Sequence, residues 1–143
     1  IGACSLGTAT AALKRAKEYA GEREQFGKKL AQFQALQFKL ADMATELEAA
    51  KLMIYQAAAK VDAKTPDATM HAAMAKRFAT DAGFNVINEA LQIHGGYGYL
   101  KDFPLERHLR DARVHQILEG TNEIMRVILG RRLMLEHALE MLR

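Results

Sequence analysis

Glu119 is the residue whose type and setting point most directly to chemistry. It follows the apolar pair Ile117 and Leu118, precedes Gly120, and lies where the chain breaks before a predicted helix. Apolar surroundings raise the pKa of a carboxyl group, which suits a general base working near neutral pH. The adjacent glycine would let a substrate approach the main chain. The alternative is a surface carboxylate that stabilises the positive end of a helix dipole.

A second set of candidates could bind phosphate. The guanidinium fork of an arginine matches phosphate oxygens, although solvated helix faces are the commoner explanation for Arg23, Arg126, Arg131 and Arg132. The glycines of residues 95–98 resemble a phosphate-binding turn only loosely, because a dinucleotide-binding fingerprint follows a strand and here a predicted helix precedes it. On pattern alone, a loop that terminates a helix explains these glycines equally well.

The histidines and the cysteine give no metal or disulfide signal. His108 and His115 lie about two helical turns apart with a break expected between them, and no His-Glu-x-x-His or Glu-x-x-His pair occurs. The single cysteine, Cys4, cannot form an internal disulfide. We therefore expect no metal site.

The elements that must position these residues are predicted to be helices. A first helix runs from Ile1 to Ala20 with a stop at Gly21, and the charged stretch 22–30 is interpreted as a loop. A second helix is the strongest signal, because apolar residues recur by alternate fours and threes. Its apolar stripe consists of Leu36, Leu40, Met43, Leu47, Ala50, Ile54, Ala57 and Val61.

Capping residues mark the remaining helices. Thr65 is a good N-cap with Pro66 at the first helical position, so a third helix is predicted to run to about Ile93 and to end at the loop of residues 94–99. A short helix over 104–113 follows, and Thr121 is the predicted N-cap of the last helix. The residues of that helix expected to point inward are Ile124, Ile128, Leu135, Leu139 and Leu142.

These elements predict an all-α fold, an antiparallel up-down four-helix bundle with a short extra helix before the last one. The composition agrees, with 50% hydrophobic residues, 26% charged residues and two prolines among 143 residues. The net charge of +3 is too mild to indicate a nucleic-acid or membrane partner. The chain begins at Ile1 without Met, and we expect it to be part of a longer protein.

Several segments, taken in order, resemble the C-terminal helical domain of acyl-CoA dehydrogenases. The resemblance covers essentially the whole chain, 1–143, and its last part is most similar to isobutyryl-CoA and other short-branched-chain acyl-CoA dehydrogenases. The matching pieces are Arg-Glu-Gln-Phe-Gly at 23–27, Phe-Gln at 33–34, Gln-Ile-His-Gly-Gly-Tyr-Gly at 92–98, Arg-Asp-Ala-Arg at 110–113 and Glu-Gly-Thr-Asn-Glu-Ile at 119–124.

The resemblance implies an FAD-dependent oxidation of an acyl-CoA thioester to the trans-2-enoyl-CoA, with an electron-transferring flavoprotein as acceptor. Glu119 would remove the α-proton while the β-hydrogen leaves as hydride to the flavin. Gly120 would line the acyl-CoA site and Arg131 would contact the CoA side of the ligand. Some relatives carry the catalytic carboxylate on an earlier helix instead.

The resemblance also implies which residues hold FAD and how the protein assembles. Flavin contacts across a dimer interface would come from Arg23, Phe26, Phe33, Gln34, Gln92, Ile93, His94, Gly95 and Gly96, and contacts from the subunit that owns the flavin from Thr121, Asn122 and Glu123. The implied assembly is a homotetramer, a dimer of dimers, in the bacterial cytoplasm or the mitochondrial matrix.

Because the family's N-terminal helical and middle β domains are absent from these residues, we expect the isolated chain to be inactive. Two alternatives stay open. One is a non-catalytic helical oligomerisation module, which loss of the flavin contacts would favour. The other is an acyl-CoA oxidase, which shares the chemistry but is reoxidised by oxygen and usually has a further C-terminal region.

Overall fold

The computed structural model describes the backbone of residues 1–140 and the side chains through residue 135. Helices make up most of this part of the chain, so the predicted all-α fold class is confirmed. The elements are α1 (Gly2–Glu22), β1 (Glu24–Gln25), β2 (Lys28–Lys29), α2 (Gln34–Asp62), α3 (Ala68–His94), α4 (Leu105–His115) and α5 (Asn122–Glu140), with 3₁₀ turns at Leu30–Gln32 and Gly95–Tyr99.

Helix α3 is the centre of the domain and packs against the other four helices. The facing side of α1 is built from alanines at 9, 12, 16 and 20, all fully buried. Small residues let helix axes approach closely. At one such contact a Cβ added to Gly83 would lie 3.3 Å from both the Cβ and the carbonyl oxygen of Ser5.

Contacts at their ends fix the directions of the first three helices. Tyr19 near the end of α1 stacks on His94 at the end of α3, so these two helices run in the same direction. Helix α2 runs oppositely to α3, because Lys60 at its end pairs with Asp67 before α3 begins. The apolar stripe predicted for α2 is buried or half-buried except at Val61, which is 53% exposed in the last turn.

Helices α4 and α5 both run back along α3. The end of α4 returns to the start of α1, where His115 Nδ1 and the Ser5 hydroxyl lie 2.9 Å apart. Asn122 at the start of α5 lies beside Thr80, and Arg132 donates to the carbonyl of Pro66 at 3.2 Å. The next residues of α5 pass the start of α3 and expose their apolar side chains, namely Leu133, Met134 and Leu135.

The stretch between α1 and α2 differs from the prediction. Helix α1 continues through Gly21 to Glu22, and the predicted loop contains a tight antiparallel hairpin in which Glu24 pairs with Lys29. Its two turn residues, Phe26 and Gly27, have φ of 54° and 78°. Two successive positive φ values match the twist of a two-residue hairpin.

The start of α3 is also corrected. The predicted N-cap at Thr65 is wrong, because α3 begins at Ala68 after Asp67. The Thr65 hydroxyl donates to the Asp67 carboxylate at 2.6 Å, and Lys60 donates to the same carboxylate at 2.5 Å. These bonds hold residues 65–67 in a turn that precedes the helix.

The N-cap predicted for the last helix is confirmed, since the Thr121 hydroxyl accepts from the amide of Ile124 at 3.3 Å. The predicted inward face is wrong at Ile124 and Leu135, which are 49% and 62% exposed. Met125 is the buried side chain at the start of this helix, and Ile128 is half-buried as predicted. The predictions for the side chains of residues 139 and 142 lie outside the described side chains.

Candidate functional site

Glu119 lies in the connection between α4 and α5, in a strained backbone conformation. Its φ is 56°, and that of Gly120 is 88°. A side chain at positive φ is uncommon outside glycine and needs support from its surroundings. The Glu119 side chain is exposed in this chain, so the apolar surroundings expected around it would have to come from outside the described residues.

Main-chain hydrogen bonds close this connection into a compact loop. The amide of Leu118 bonds to the carbonyl of Val114 at 2.9 Å, which ends α4 tightly. The amide of Asn122 returns to the carbonyl of Gln116 at 3.0 Å. Both ends of the 116–122 segment, which we call the Glu119 loop, are therefore fixed to the helices that flank it.

A buried polar network ties the Glu119 loop to α3. Asn122 is only 3% exposed, and its Nδ2 donates to Asp81 at 2.7 Å and to the Thr80 hydroxyl at 2.9 Å. The Asn122 Oδ1 accepts from Lys76 Nζ at 2.8 Å, and the same ammonium donates to the Gly120 carbonyl at 2.7 Å. Both the side chain and the backbone amide of Asn122 are thus engaged inside the chain, and the predicted FAD contact of this residue stays a prediction.

The network balances its charges. Burial lowers the pKa of Lys76, while the carboxylates of Asp81 and Glu123 act in the opposite direction. Asp81 also accepts from Gln116 at 2.8 Å and lies 3.6 Å from Arg126. The ammonium and the carboxylate are bridged by the Asn122 amide, so neither is left buried without a hydrogen bond.

A groove of about 430 Å³ lies at the opposite end of α3. The guanidinium of Arg23 stands 5.4 Å from the centre of the Tyr97 ring at its edge, in a cation–π arrangement. The groove is lined by Tyr19, Arg23, Gln25, Leu30, Gln92, Ile93, His94, Gly95, Gly96, Tyr97 and Leu100.

His94 forms the floor of this groove. Its Nδ1 lies 2.8 Å from the carbonyl of Ala90, and its ring stacks on Tyr19 with centroids 4.2 Å apart. Burial lowers the pKa of His94, the hydrogen bond to Ala90 opposes that shift, and the positive charge of Arg15 adds to it.

Two glycines expose backbone at the mouth of the groove. Gly95 has a φ of 58°, and a Cβ added at Gly95 or at Gly96 would meet nothing within 4 Å. The segment was predicted as a loop and forms a 3₁₀ turn, Gly95–Tyr99. Open backbone beside a guanidinium is a chemically suitable setting for an anionic ligand.

The structure divides the predicted site residues into two groups. Those predicted to contact FAD across an interface lie at the groove or beside it. Phe26 at the hairpin tip is 93% exposed, and the centre of its ring lies 6.4 Å from that of Phe33. Gln34 follows Phe33 and is the first residue of α2. Glu119, Gly120, Thr121, Asn122 and Glu123 lie together at the other end. Arg131 lies further along α5 and is exposed.

The two groups are widely separated. Lys76, beside the Glu119 loop, and His94, in the groove, are 18 positions apart on one helix. At about 1.5 Å per residue this is roughly 27 Å. A single chain therefore presents two separate clusters rather than one assembled pocket.

Sequence reasoning missed several residues of both clusters. Tyr19 and Tyr97 enclose the groove, and Lys76 and Asp81 hold the Glu119 loop. Tyr97 could have been found from its place among the glycines, whereas the contact of Lys76 with Gly120 joins residues 44 positions apart and leaves no local pattern.

A second groove, of about 660 Å³, leads along α4 toward the Glu119 loop. It is lined by two arginines, two carboxylates and apolar side chains, namely Arg110, Arg113, Glu106, Asp111, Phe84, Leu109, Val114 and Ile117. Within residues 1–140, no helix has the length and apolar character to cross a membrane. In the same described part of the chain, no three potential metal ligands cluster.

Comparison with known proteins gives the family. Residues 1–134 match the model of the acyl-CoA dehydrogenase C-terminal domain. The chain therefore belongs to the acyl-CoA dehydrogenase family.

Individual relatives agree with this assignment. The chain is 56% identical over 133 residues to the mitochondrial isobutyryl-CoA dehydrogenase of Dictyostelium discoideum, covering 93% of this chain and 32% of that protein. It is similar to butyryl-CoA dehydrogenase of Megasphaera elsdenii with a TM-score of 0.90 and 48% identity, covering 93% of this chain and 34% of that one. The FAD complex of PigA matches with a TM-score of 0.89 and 34% identity over 94% of this chain and 35% of that one. The chain thus spans about a third of the length of these relatives.

Proposed function

We propose that this chain, over residues 1–143, is the C-terminal helical domain of an FAD-dependent acyl-CoA dehydrogenase that oxidises a short or branched acyl-CoA to the trans-2-enoyl-CoA. The observation that carries the proposal is Glu119 itself, an exposed carboxylate on a loop with two successive positive φ values. Lys76 of α3 binds the main chain of this loop at the Gly120 carbonyl. The likeness to isobutyryl-CoA and butyryl-CoA dehydrogenases supports the substrate class.

In this proposal Glu119 is the base that takes the α-proton of the thioester. An α C–H is a poor acid until its carbonyl is polarised, so the site needs hydrogen-bond donors to that oxygen as well as a base. The backbone N–H at Glu119 is the proposed donor from this chain. Gly120 lines the acyl-CoA site, where its lack of a side chain gives the ligand access to the backbone, and the exposed guanidinium of Arg131 contacts the CoA side.

FAD, when bound, supplies the acceptor for the β-hydrogen, which leaves as hydride. The groove at the end of α3 fits part of such a cofactor, because Arg23 offers a guanidinium and Gly95 and Gly96 offer uncovered backbone. The remaining proposed contacts come from Phe26, Phe33, Gln34, Gln92, Ile93 and His94 beside the groove and from Thr121, Asn122 and Glu123 beside the base. The bound FAD of the similar protein PigA supports this assignment.

The proposed assembly is a homotetramer, a dimer of dimers, with an electron-transferring flavoprotein as electron acceptor. Exposed apolar side chains on α2, namely Phe38, Leu52 and Tyr55, support burial of this face against other copies. The proposed location is the bacterial cytoplasm or the mitochondrial matrix, and the Dictyostelium relative is a mitochondrial protein.

The test uses the full-length parent protein, purified with its flavin under anaerobic conditions. Isobutyryl-CoA, butyryl-CoA and 2-methylbutyryl-CoA are added in turn and bleaching of the flavin absorbance is followed. Replacing Glu119 with Gln is expected to slow bleaching by about 10²–10⁴-fold, the usual contribution of a general base. FAD should remain bound. Glu18→Gln, a matched change at an exposed carboxylate on α1, should bleach at the parent rate.

The outcomes separate the alternatives. Bleaching that survives Glu119→Gln would place the base elsewhere. No bleaching with any thioester, despite bound FAD, would favour the oligomerisation module. Reoxidation of the bleached enzyme by oxygen as fast as by electron-transferring flavoprotein would identify an oxidase.

A further inference from the structure

Lys76 of α3 forms hydrogen bonds with the Glu119 loop. Its ammonium donates two hydrogen bonds, one to the Gly120 carbonyl at 2.7 Å and one to Asn122 Oδ1 at 2.8 Å. The first bond reaches the main chain immediately after Glu119. The second reaches the first residue of α5, so a single side chain on α3 holds both the loop and the helix that follows it.

The loop needs this support because of its backbone. Glu119 and Gly120 both have positive φ, and for Glu119 that conformation is disfavoured by its Cβ. The Gly120 carbonyl belongs to the peptide that leaves this strained pair. Fixing that carbonyl fixes the rotation of the peptide and thereby limits the directions in which the Glu119 side chain can point.

The anchor is itself rigid. Lys76 is half-buried on a helix whose next turn provides Thr80 and Asp81, and both of these bind Asn122. The Thr80 hydroxyl also donates to the carbonyl of Lys76 at 2.9 Å, which closes the network on its own helix. Each member is thus positioned by another, the arrangement that a preorganised catalytic group requires.

We propose that Lys76 is a positioning residue for Glu119, which it holds by binding the Gly120 carbonyl and, through Asn122, the start of α5. The inference rests on the proposed role of Glu119 as the base. Lys76 affects Glu119 through the loop, and it is not proposed to contact the acyl group or the flavin. Its removal should therefore slow the proton abstraction more than it weakens acyl-CoA binding, in which Gly120 is only one of the proposed contacts.

The experiment compares Lys76→Met, Lys76→Arg and Glu119→Gln in the full-length holoenzyme by stopped-flow flavin reduction with isobutyryl-CoA or whichever thioester the parent reduces fastest. The rate constant at saturation reports the chemical step, the concentration dependence reports binding, and the amplitude per bound FAD reports the active fraction. Lys60→Met is the matched control, because it removes another half-buried ammonium that pairs with a carboxylate, Asp67, away from the loop.

For Lys76→Met we expect the saturating rate constant to fall about 10–100-fold, the effect of a displacement near 1 Å at a reacting group. The substrate concentration for half-saturation should change by less than about threefold, because Lys76 itself does not contact the ligand and Gly120 is only one of its proposed contacts. Lys76→Arg should recover part of the rate because a guanidinium can also donate to both oxygens. Amide hydrogen exchange over 116–122 should accelerate in Lys76→Met and stay at the parent rate in Lys60→Met.

Other results overturn the inference. A Lys76→Met enzyme with the parent rate constant, or with only a smaller amplitude, would make Lys76 a purely structural residue. If Lys76→Met does not accumulate as holoenzyme, Lys76→Gln takes its place, and equal rate constants for the Gln and Arg variants would reject the idea. Should Glu119→Gln retain the parent rate constant, the proposed function fails first, and that result is distinct from a failure of Lys76 alone.

Discussion

At the scale of single residues, the backbone conformation of Glu119 and Gly120 determines how the Glu119 carboxylate is oriented. A non-glycine residue at positive φ persists only where its surroundings determine it. Here the surroundings are an N-cap from Thr121, a main-chain bond from Asn122 and the ammonium of Lys76. Glu119 is thus held by contacts to its neighbours in the chain, and its own carboxylate is left available.

Gly120 is the residue of this pair that tolerates substitution least. A Cβ added there would lie 2.7 Å from the Cε of Met125, and the φ of 88° is strained for any L side chain. We expect Gly120→Ala to lower the stability by about 1–2 kcal/mol, the usual penalty for a left-handed non-glycine residue, and to slow flavin reduction because the loop must shift. The measurement is the thermal midpoint of the full-length protein together with the rate of bleaching.

Gly7→Ala is the control for this substitution. Gly7 is exposed within α1 and a Cβ there meets nothing within 4 Å, so alanine should stabilise by about 0.5–1 kcal/mol through helix propensity. An unchanged or higher midpoint in Gly120→Ala would mean that the loop adopts its conformation without need of glycine.

At the scale of elements, we expect the stability of the contact between α1 and α3 to depend on pH through His94. The buried ring stacks on Tyr19 and lies edge-on to Phe103. Because burial lowers the pKa of His94, the folded protein holds it neutral at a pH where the unfolded chain, with a value near 6.5, already binds a proton. The stability contributed by this group is complete above pH 6.5 and declines as the pH falls from there through the lowered pKa.

The corresponding prediction concerns the slope of stability against pH. Below pH 6.5 the parent should lose at most about 1.4 kcal/mol per pH unit through this proton, and His94→Gln should reduce that slope. A remaining slope is expected, because burial also lowers the pKa values of His108 and His115. Thermal midpoints from pH 8 to pH 5 would measure this, and an identical slope in the variant would show that His94 does not titrate in this range.

The elements also show how far the sequence could be interpreted. The stripe of α2 was predictable because all eight of its positions follow helical spacing, and seven of them are buried or half-buried. The exception is Val61, which lies in the last turn of the helix and is 53% exposed. Strands of two residues, as in the hairpin, are too short to show alternation. The cap at Thr65 was mispredicted because α3 begins three residues later, and the Thr65 hydroxyl instead donates to the Asp67 carboxylate, whose pKa the bonds from Lys60 and Thr65 lower to about 2.

The candidate site was predictable only in part, for similar reasons. The resemblance supplied Glu119 and the glycines of the groove, since these lie in short sequence motifs. Asn122 was predicted as a flavin contact, but its side chain is buried against α3. Lys76 gave no signal, because a lone lysine on a helix usually belongs to a solvated face and its partners here are more than 40 positions away.

At the scale of the whole molecule, the proposed assembly has an active site made by two subunits. The groove lies at the end of α3, whereas the Glu119 loop contacts the first half of this helix at Lys76, roughly 27 Å away along the helix. The exposed apolar residues of α2, Phe38, Leu52 and Tyr55, lie within about 100° of helical rotation on one side of that helix. A second copy packed against this side would bury these side chains. In the proposed assembly, the groove of one subunit then lies beside the Glu119 loop of the other.

This arrangement predicts complementation between two inactive variants. In a hybrid of Arg23→Ala and Glu119→Gln subunits, one of the two sites of a dimer would combine an intact Glu119 with an intact Arg23 from the other subunit. Co-expressed variants that pair at random should therefore recover about a quarter of the parent activity, although each variant alone is inactive. Absence of recovery in hybrids isolated by two affinity tags would mean that both residues serve a site within one subunit.

Helix α3 runs without a break from Lys76 to His94, so the number of residues between them sets the distance and rotation between the Glu119 loop and the groove. Inserting one residue between Lys76 and His94 would turn one end relative to the other by about 100° and advance it by about 1.5 Å. The ammonium at 76 and the groove at 94 could then not both face their present neighbours. A residue added in the 63–67 connection would instead disturb that turn but leave the spacing along α3 unchanged. The count of residues along α3 is thus as much a determinant of the site as any side chain in it.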